Sequence, residues 1–148
     1  MDILVRRAGV DDLDALSRLF DAYRQFYDQA PDLARARAFM AERLAVGDSV
    51  VFVAERGGLV VGFTQLYPTF TSVGLARTFI LNDLFVDPAV RKSGAGRALL
   101  EAAAEYGRSE GAARLSLSTG IRNSVAQGLY EHMGWRRSEA FLVYNLPL

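Results

Sequence analysis

Anion-binding chemistry is most concentrated between Leu84 and Leu100. The apolar run Leu84-Phe85-Val86 passes through Asp87-Pro88 into a basic, glycine-containing stretch and then an alanine-rich one. Its centre is Arg91-x-x-Gly94-x-Gly96, with Lys92, Ser93 and Ala95 between the fixed positions and Arg97 just beyond. A strand, a glycine turn and a helix start in that order present unpaired N–H groups and the positive end of a helix dipole. The glycines let a ligand approach the main chain. Arg91, Lys92 and Arg97 add cations, so the expected guest is a phosphate or pyrophosphate. A Walker loop requires Gly, four residues, then Gly-Lys-Ser/Thr, a pattern the chain lacks. A dinucleotide fingerprint requires a third glycine where Leu99 stands. The bland alternative is a solvated loop whose glycines only cap the elements on either side.

Two further stretches carry chemistry. The run from Thr78 to Val86 is rich in β-formers but broken by Asn82-Asp83. A polar pair inside an apolar strand is expensive to bury without partners, and so suggests the floor of a cleft. Further along lies Asn123-Ser124-Val125-Ala126-Gln127-Gly128-Leu129-Tyr130-Glu131-His132-Met133-Gly134-Trp135. In order, the basic loop and this stretch resemble two signatures of the GNAT superfamily of N-acetyltransferases. The first is Gln/Arg-x-x-Gly-x-Gly/Ala after a strand. The second is Asn-x-x-Ala-x-x-x-Tyr-x-x-x-Gly-Phe, with Trp135 in the aromatic slot. Asn82-Asp83 looks closest to the branch that acetylates histones, polyamines and amino acids.

The resemblance implies an acetyl-CoA-dependent N-acetyltransferase that uses no metal. The coenzyme's pyrophosphate would meet Arg91, Lys92, Ser93, Gly94, Ala95, Gly96 and Arg97. Its pantetheine arm would pair with the main chain of Leu84, Phe85 and Val86 as an added strand does at an open edge. Tyr130 is the candidate general acid, since a phenol with a pKa of ~10 stays protonated at neutral pH and can donate to the departing sulfur. Asn123 lies two helical turns earlier, about 10.5 Å away on the same face, where it would also touch the coenzyme. The competing readings are an N-cap for Asn123 and a core aromatic for Tyr130.

The amine end rests on Asp83, as a base acting directly or through water, or as a holder of the ammonium. Its bland reading is a salt bridge to Arg77 or Arg6. Polyamine-acetylating relatives often carry Glu where this chain has Asn82, which cannot be a base. Tyr23, Phe26 and Tyr27, with Asp28, fall where the family shapes its acceptor pocket, together with Tyr67 and Phe70 in the hairpin after strand 59–66. Tyr23, Tyr27, Asn82 and Asp83 are therefore the expected substrate residues. Aromatic groups beside an acid suit an organic cation; for Phe26 plain packing is the stronger reading. His132 lies two residues from Tyr130, ~200° round a helix, and is expected to face away from it. With no cysteine and no nucleophile–base pair, direct attack in a ternary complex is favoured over an acyl-enzyme.

These residues need a scaffold, and hydrophobic periodicity predicts one. Strand 3–8 leads to a helix from Val10 bearing Leu13, Leu16, Leu19, Phe20, Tyr23 and Tyr27 at helical spacing. A second helix runs over 32–46 and ends at Gly47. Strands 50–55 and 59–66 flank the turn Arg56-Gly57-Gly58. Strand 78–86, helix 96–108, strand 115–118, helix 123–133 and strand 141–146 follow. This is the element order of an α/β GNAT-type fold. It has a central, mostly antiparallel sheet of about six to seven strands flanked by four helices, formed by residues 1–148 as a single domain.

Composition is that of an ordinary globular protein, 51% hydrophobic and 23% charged. Zero net charge gives a nucleic-acid partner no electrostatic footprint. No apolar run reaches the ~18 residues of a membrane span, charge comes too early for a secretory leader, and there is no cysteine for a disulfide. The expectation is a cytoplasmic enzyme acting on a primary amine of a small molecule. Relatives often dimerise, and a sheet edge or the C-terminal strand offers a surface for a homodimer. Two rival readings are a protein lysine or N-terminal acetyltransferase and a non-catalytic acyl-CoA-binding sensor. The sensor would keep the Arg91–Arg97 loop but would not depend on Tyr130.

Overall fold

The computed structural model describes residues 2–148, which divide into two units, one ending at Leu117 and one spanning Ser118–Leu148. The first unit holds a five-stranded sheet in the order β1 (Ile3–Arg7), β2 (Val50–Arg56), β3 (Leu59–Thr71), β4 (Ala76–Val86), β5 (Leu115–Ser116). The first three pairings are antiparallel and β4–β5 is parallel. Helices α1 (Leu13–Phe26) and α2 (Leu33–Val46) precede β2, and α3 (Ala95–Ser109) links β4 to β5.

Alternation along the strands assigns the helices to opposite faces. Val51, Val53, Phe63 and Phe85 join Leu16, Leu19 and Phe20 of α1 and Ala36 and Met40 of α2 in one buried cluster. Phe52 and Phe79 instead meet Tyr106 of α3. Phe79 and Phe85 both hold odd positions on β4, yet face opposite sides. The cause is a β-bulge: Gln65 pairs with Asp83 but Leu66 pairs with Leu81, leaving Asn82 as the extra residue. One inserted residue reverses the side-chain parity beyond it. Asp83 is thereby turned onto the α1–α2 face, opposite Gln65.

Local chemistry fixes the helix ends. Residues Val10–Asp12 form a 3₁₀ turn where the sequence predicts the start of the helix, and α1 begins at Leu13. Asp12 is clamped there, accepting from Arg6 Nη1 at 2.8 Å, Arg6 Nη2 at 2.7 Å and Gly9 N at 2.7 Å. Asp32 caps α2 by accepting from Arg35 N at 3.1 Å. Buried Asp21 of α1 accepts from Asp32 N at 3.1 Å and from Arg24 at 2.8 Å, tying the two helices at their corner.

The second unit contains α4 (Ser124–His132) and no strand. Its cap is Asn123, whose Oδ1 accepts from Ala126 N at 3.2 Å. The expected strand 141–146 is not formed: Phe141, Leu142, Val143 and Tyr144 are more than four-fifths exposed and belong to no strand. β-propensity describes how a residue fits a paired surface, so an apolar run without a neighbouring ladder is not a strand. The sheet therefore has five strands rather than the predicted six to seven. Strand β5 stops at Ser116, short of 118, and β3 extends to Thr71, so Tyr67 and Phe70 are strand residues rather than loop residues.

Candidate active site

Asp83 is the most deeply buried carboxyl group among the described residues. It is 4% exposed, and among the described residues it has no ion pair, since Arg6 is taken by Asp12 and Glu55 and Arg77 lies over the Phe70 and Phe79 rings. That removes the salt-bridge reading. Its carboxylate is held by amides instead: Gln65 Nε2 donates to Oδ2 at 2.7 Å and Asn82 Nδ2 to Oδ1 at 3.1 Å. Fully buried Gln65 in turn accepts from Ser49 Oγ at 2.7 Å. Burial pushes the Asp83 carboxyl up, and the bonds from Gln65, Asn82 and Tyr23 pull part of the way back. Tyr23 also donates to the Asn82 carbonyl at 3.1 Å. Tyr67 is pushed up to about 12, first by burial and then by the charge of Asp83.

Asp83 is among the residues lining a cavity of about 500 Å³, within the range of small-ligand sites. Helix α1 supplies Phe20, Tyr23 and Arg24 to its wall, and α2 supplies Arg35, Phe39 and Glu42. Phe20 stacks on Phe39 at 5.5 Å and 9°. Of the expected substrate residues, Tyr23 and Asp83 line this space. Asn82 and Tyr27 are not among its lining, although the Tyr27 ring lies 5.2 Å from that of Tyr23. Sequence reasoning missed Gln65, Ser49, Phe20, Phe39 and the charged residues of the wall. Two signals were present. Gln65 is a polar residue inside the apolar run 59–66, as Asn82-Asp83 is in its own strand. Arg35, Phe39 and Glu42 stand at i, i+4 and i+7, one face of α2.

Beyond Ile80 the outer edge of β4 is open, because β5 pairs only with Phe79 and Ile80. Leu84, Phe85 and Val86 lie on that free edge, and Arg91 Nε returns to the Val86 carbonyl at 3.3 Å. The Arg91 guanidinium lies 5.6 Å from the Phe85 ring centre. The chain then enters α3 through Gly94 at φ +87°. No other atom would crowd a Cβ there, so the left-handed conformation itself, not space, demands glycine. Lys92 adopts φ +64°, a conformation a non-glycine residue holds at a cost. Ala95 N reaches Ser93 Oγ at 3.4 Å, and no side chain caps the helix. The first-turn amides of Gly96 and Arg97 have no partner among the described residues. Arg97 pairs within its helix with Glu101 at 3.1 Å, while Arg91 and Lys92 form no ion pair among the described residues. Free amides at a helix N-terminus beside two cations fit a pyrophosphate.

In the second unit, Tyr130 and Trp135 are joined by the end of α4. Gly134 has φ +96°, its N–H meets the Glu131 carbonyl at 3.1 Å, and Trp135 N meets the Tyr130 carbonyl at 3.0 Å. This is a Schellman ending, and its usual apolar contact is the Tyr130–Trp135 ring pair at 6.0 Å. The spacing Tyr-x-x-x-Gly-Trp is thus the spacing of a helix terminus. His132 is exposed.

The comparisons agree with this architecture. Residues 13–135 match the acetyltransferase (GNAT) family. An N-acetyltransferase of Bacillus subtilis strain 168, YhfO, is 47% identical over 145 residues, 97% of each chain. A probable acetyltransferase of Haemophilus influenzae is 33% identical over 95 residues, 64% of this chain and 65% of its own. The crystal structure of a probable acetyltransferase superposes with a TM-score of 0.91 at 37% identity, covering 100% of this chain and 98% of that one. The chain belongs to the GNAT family of acetyltransferases, and its mixed α/β sheet is the GNAT fold. It is accordingly an acyltransferase. No helix among the described residues is long and apolar enough to cross a membrane, and no cluster of metal-binding side chains occurs among them.

Proposed function

We propose that this chain is a cytoplasmic enzyme, working as one catalytic domain, that transfers the acetyl group of acetyl-CoA to a primary amine of a small molecule. One observation carries the reading: a single strand, β4, bears buried Asp83 within it and runs at its end into the turn that feeds the bare amides of α3. Acceptor chemistry and anion binding are thus held on one rigid element. Support for the donor comes also from a structural neighbour of the same fold, an aminoglycoside N-acetyltransferase solved with CoA (TM-score 0.82, 18% identity).

Arg91, Lys92 and the first-turn amides of α3 hold the donor's pyrophosphate, and the open edge of Leu84, Phe85 and Val86 aligns its pantetheine arm. Asp83 accepts a proton from the acceptor ammonium, directly or through water. The neutral nitrogen then forms its bond to the thioester carbon as the C–S bond breaks. Tyr130 supplies the proton that converts the departing thiolate to the thiol, and the proton the nitrogen sheds on becoming an amide passes through solvent to restore the phenol, while Asp83 releases its own to solvent. A carboxyl raised by burial is a better base for this task than an exposed one.

The test is release of free CoA thiol from acetyl-CoA with a panel of amino acids, polyamines, aminoglycosides and a histone-tail peptide, beside Tyr130→Phe. Amine-dependent release, cut ~10²-fold or more by the substitution, is the expected result. Saturable acetyl-CoA binding without release for any amine would replace it with the sensor reading. Turnover of the peptide alone would replace it with a protein acetyltransferase.

A further inference from the structure

The cavity between α1 and α2 contains four charged groups, and they are not equally committed. Arg24 is held by Asp21 at 2.8 Å and by the Ala30 carbonyl at 3.3 Å. Glu42 pairs with Arg43 at 3.1 Å. Asp83 has amide donors but no cation. Arg35 has only Asp32 at 4.0 Å, and its side chain is 85% exposed. Exposed pairs at that distance contribute little. The charges left without a strong counter-ion are therefore a buried carboxylate and an exposed guanidinium, in one cavity whose walls include the Phe20 and Phe39 rings.

We infer that the acceptor is an amine that also bears a carboxylate, with an apolar body between the two groups: an ω-amino acid rather than a polycation. This rests on the reading that Asp83 meets the acceptor nitrogen. The ammonium satisfies Asp83 before it gives up its proton, the apolar body lies along Phe20, Tyr23 and Phe39, and the carboxylate meets Arg35. A guanidinium matches a carboxylate with two parallel N–H donors, so the contact orients as well as attracts. A polyamine or aminoglycoside would bring further positive charge to Arg24 and Arg35, and like charges in one cavity oppose binding.

The experiment compares matched acceptors with and without the carboxylate: 4-(aminomethyl)benzoate against benzylamine, 6-aminohexanoate against pentylamine, with spermidine as the polycation. Each is assayed with acetyl-CoA and the native enzyme, Arg35→Gln and Arg35→Glu, and acceptor binding is followed by calorimetry in the presence of CoA. Because each acceptor is compared across variants, differences in intrinsic amine pKa cancel. The expected result is a KM for the carboxylated acceptors raised about tenfold or more by Arg35→Gln, with a much smaller change for their partners and little change in kcat. Arg35→Glu should move the preference toward spermidine. Turnover indifferent to the carboxylate and to both variants overturns the inference and leaves acetyl transfer standing. Binding of the carboxylated amines that depends on Arg35, with no turnover of any amine, keeps the paired ammonium and carboxylate site but overturns both the proposed function and the bound amine's role as acceptor. Neither binding nor turnover overturns both.

Discussion

At the scale of single residues, Asp83 and Asp12 are two buried carboxylates with opposite thermodynamic signs. Asp83 is raised by burial, so between the ordinary carboxyl pKa of about 4 and its own value the unfolded chain ionises first, and stability falls as pH rises. The stability advantage of the native chain over Asp83→Asn should therefore shrink with rising pH across that window, a trend thermal melts would record. The same substitution should lower kcat/KM by ~10²-fold or more if Asp83 is the base. Asp12 is lowered, first by its bonds from Arg6, so its contribution is present above the unfolded pKa and lost as pH falls through its own. Asp12→Asn should flatten the acid side of the stability curve; an unchanged acid slope would refute the assignment. Gln65 links the two kinds of effect. Gln65→Leu removes the N–H that favours ionised Asp83 and strands Ser49, so it should cost about 1–3 kcal/mol. It should also move the acidic limb of the rate profile to higher pH. Loss of stability with an unmoved limb would make Gln65 a packing residue only.

Elements, not isolated residues, explain the two motifs. Each motif has one glycine at a helix end in the left-handed region: Gly94 entering α3 and Gly134 leaving α4. Gly134→Ala should cost about 1–2 kcal/mol, the price of that conformation for a residue with a Cβ, with the loss read from denaturant unfolding. Gly94→Ala carries the same conformational cost and should also weaken CoA binding, because the bare amides of α3 follow it directly. Equal CoA affinity in Gly94→Ala would show that the turn only caps the helix. The β4 bulge is an element-scale device of the same kind. It places Asn82 outside the ladder and aims Asp83 at Gln65, an arrangement that no residue-by-residue pattern of alternation contains.

At the scale of the whole molecule, most of the scaffold was legible because its signals are local. The αL end of α2 at Gly47, the hairpin around Arg56-Gly57-Gly58, the apolar stripe of α1 and the amide-rich start of α3 all depend on residues a few positions apart. The glycine turn before α3, the polar pair on β4 and the N-cap of α4 at Asn123 were visible in the same way. The reach of β3 to Thr71 and the absence of a strand over 141–146 were not, since a strand exists only through a partner distant in sequence. Nor was the chain from Ser49 through Gln65 to Asp83, which joins residues from three separate places in the chain. Hence the sequence alone determined the kind of fold and pointed to a candidate anion site, acid and base. Tertiary structure decided which side chains surround Asp83 and where charge in the cavity lacks a counter-ion, because burial and register are set by pairings between remote segments.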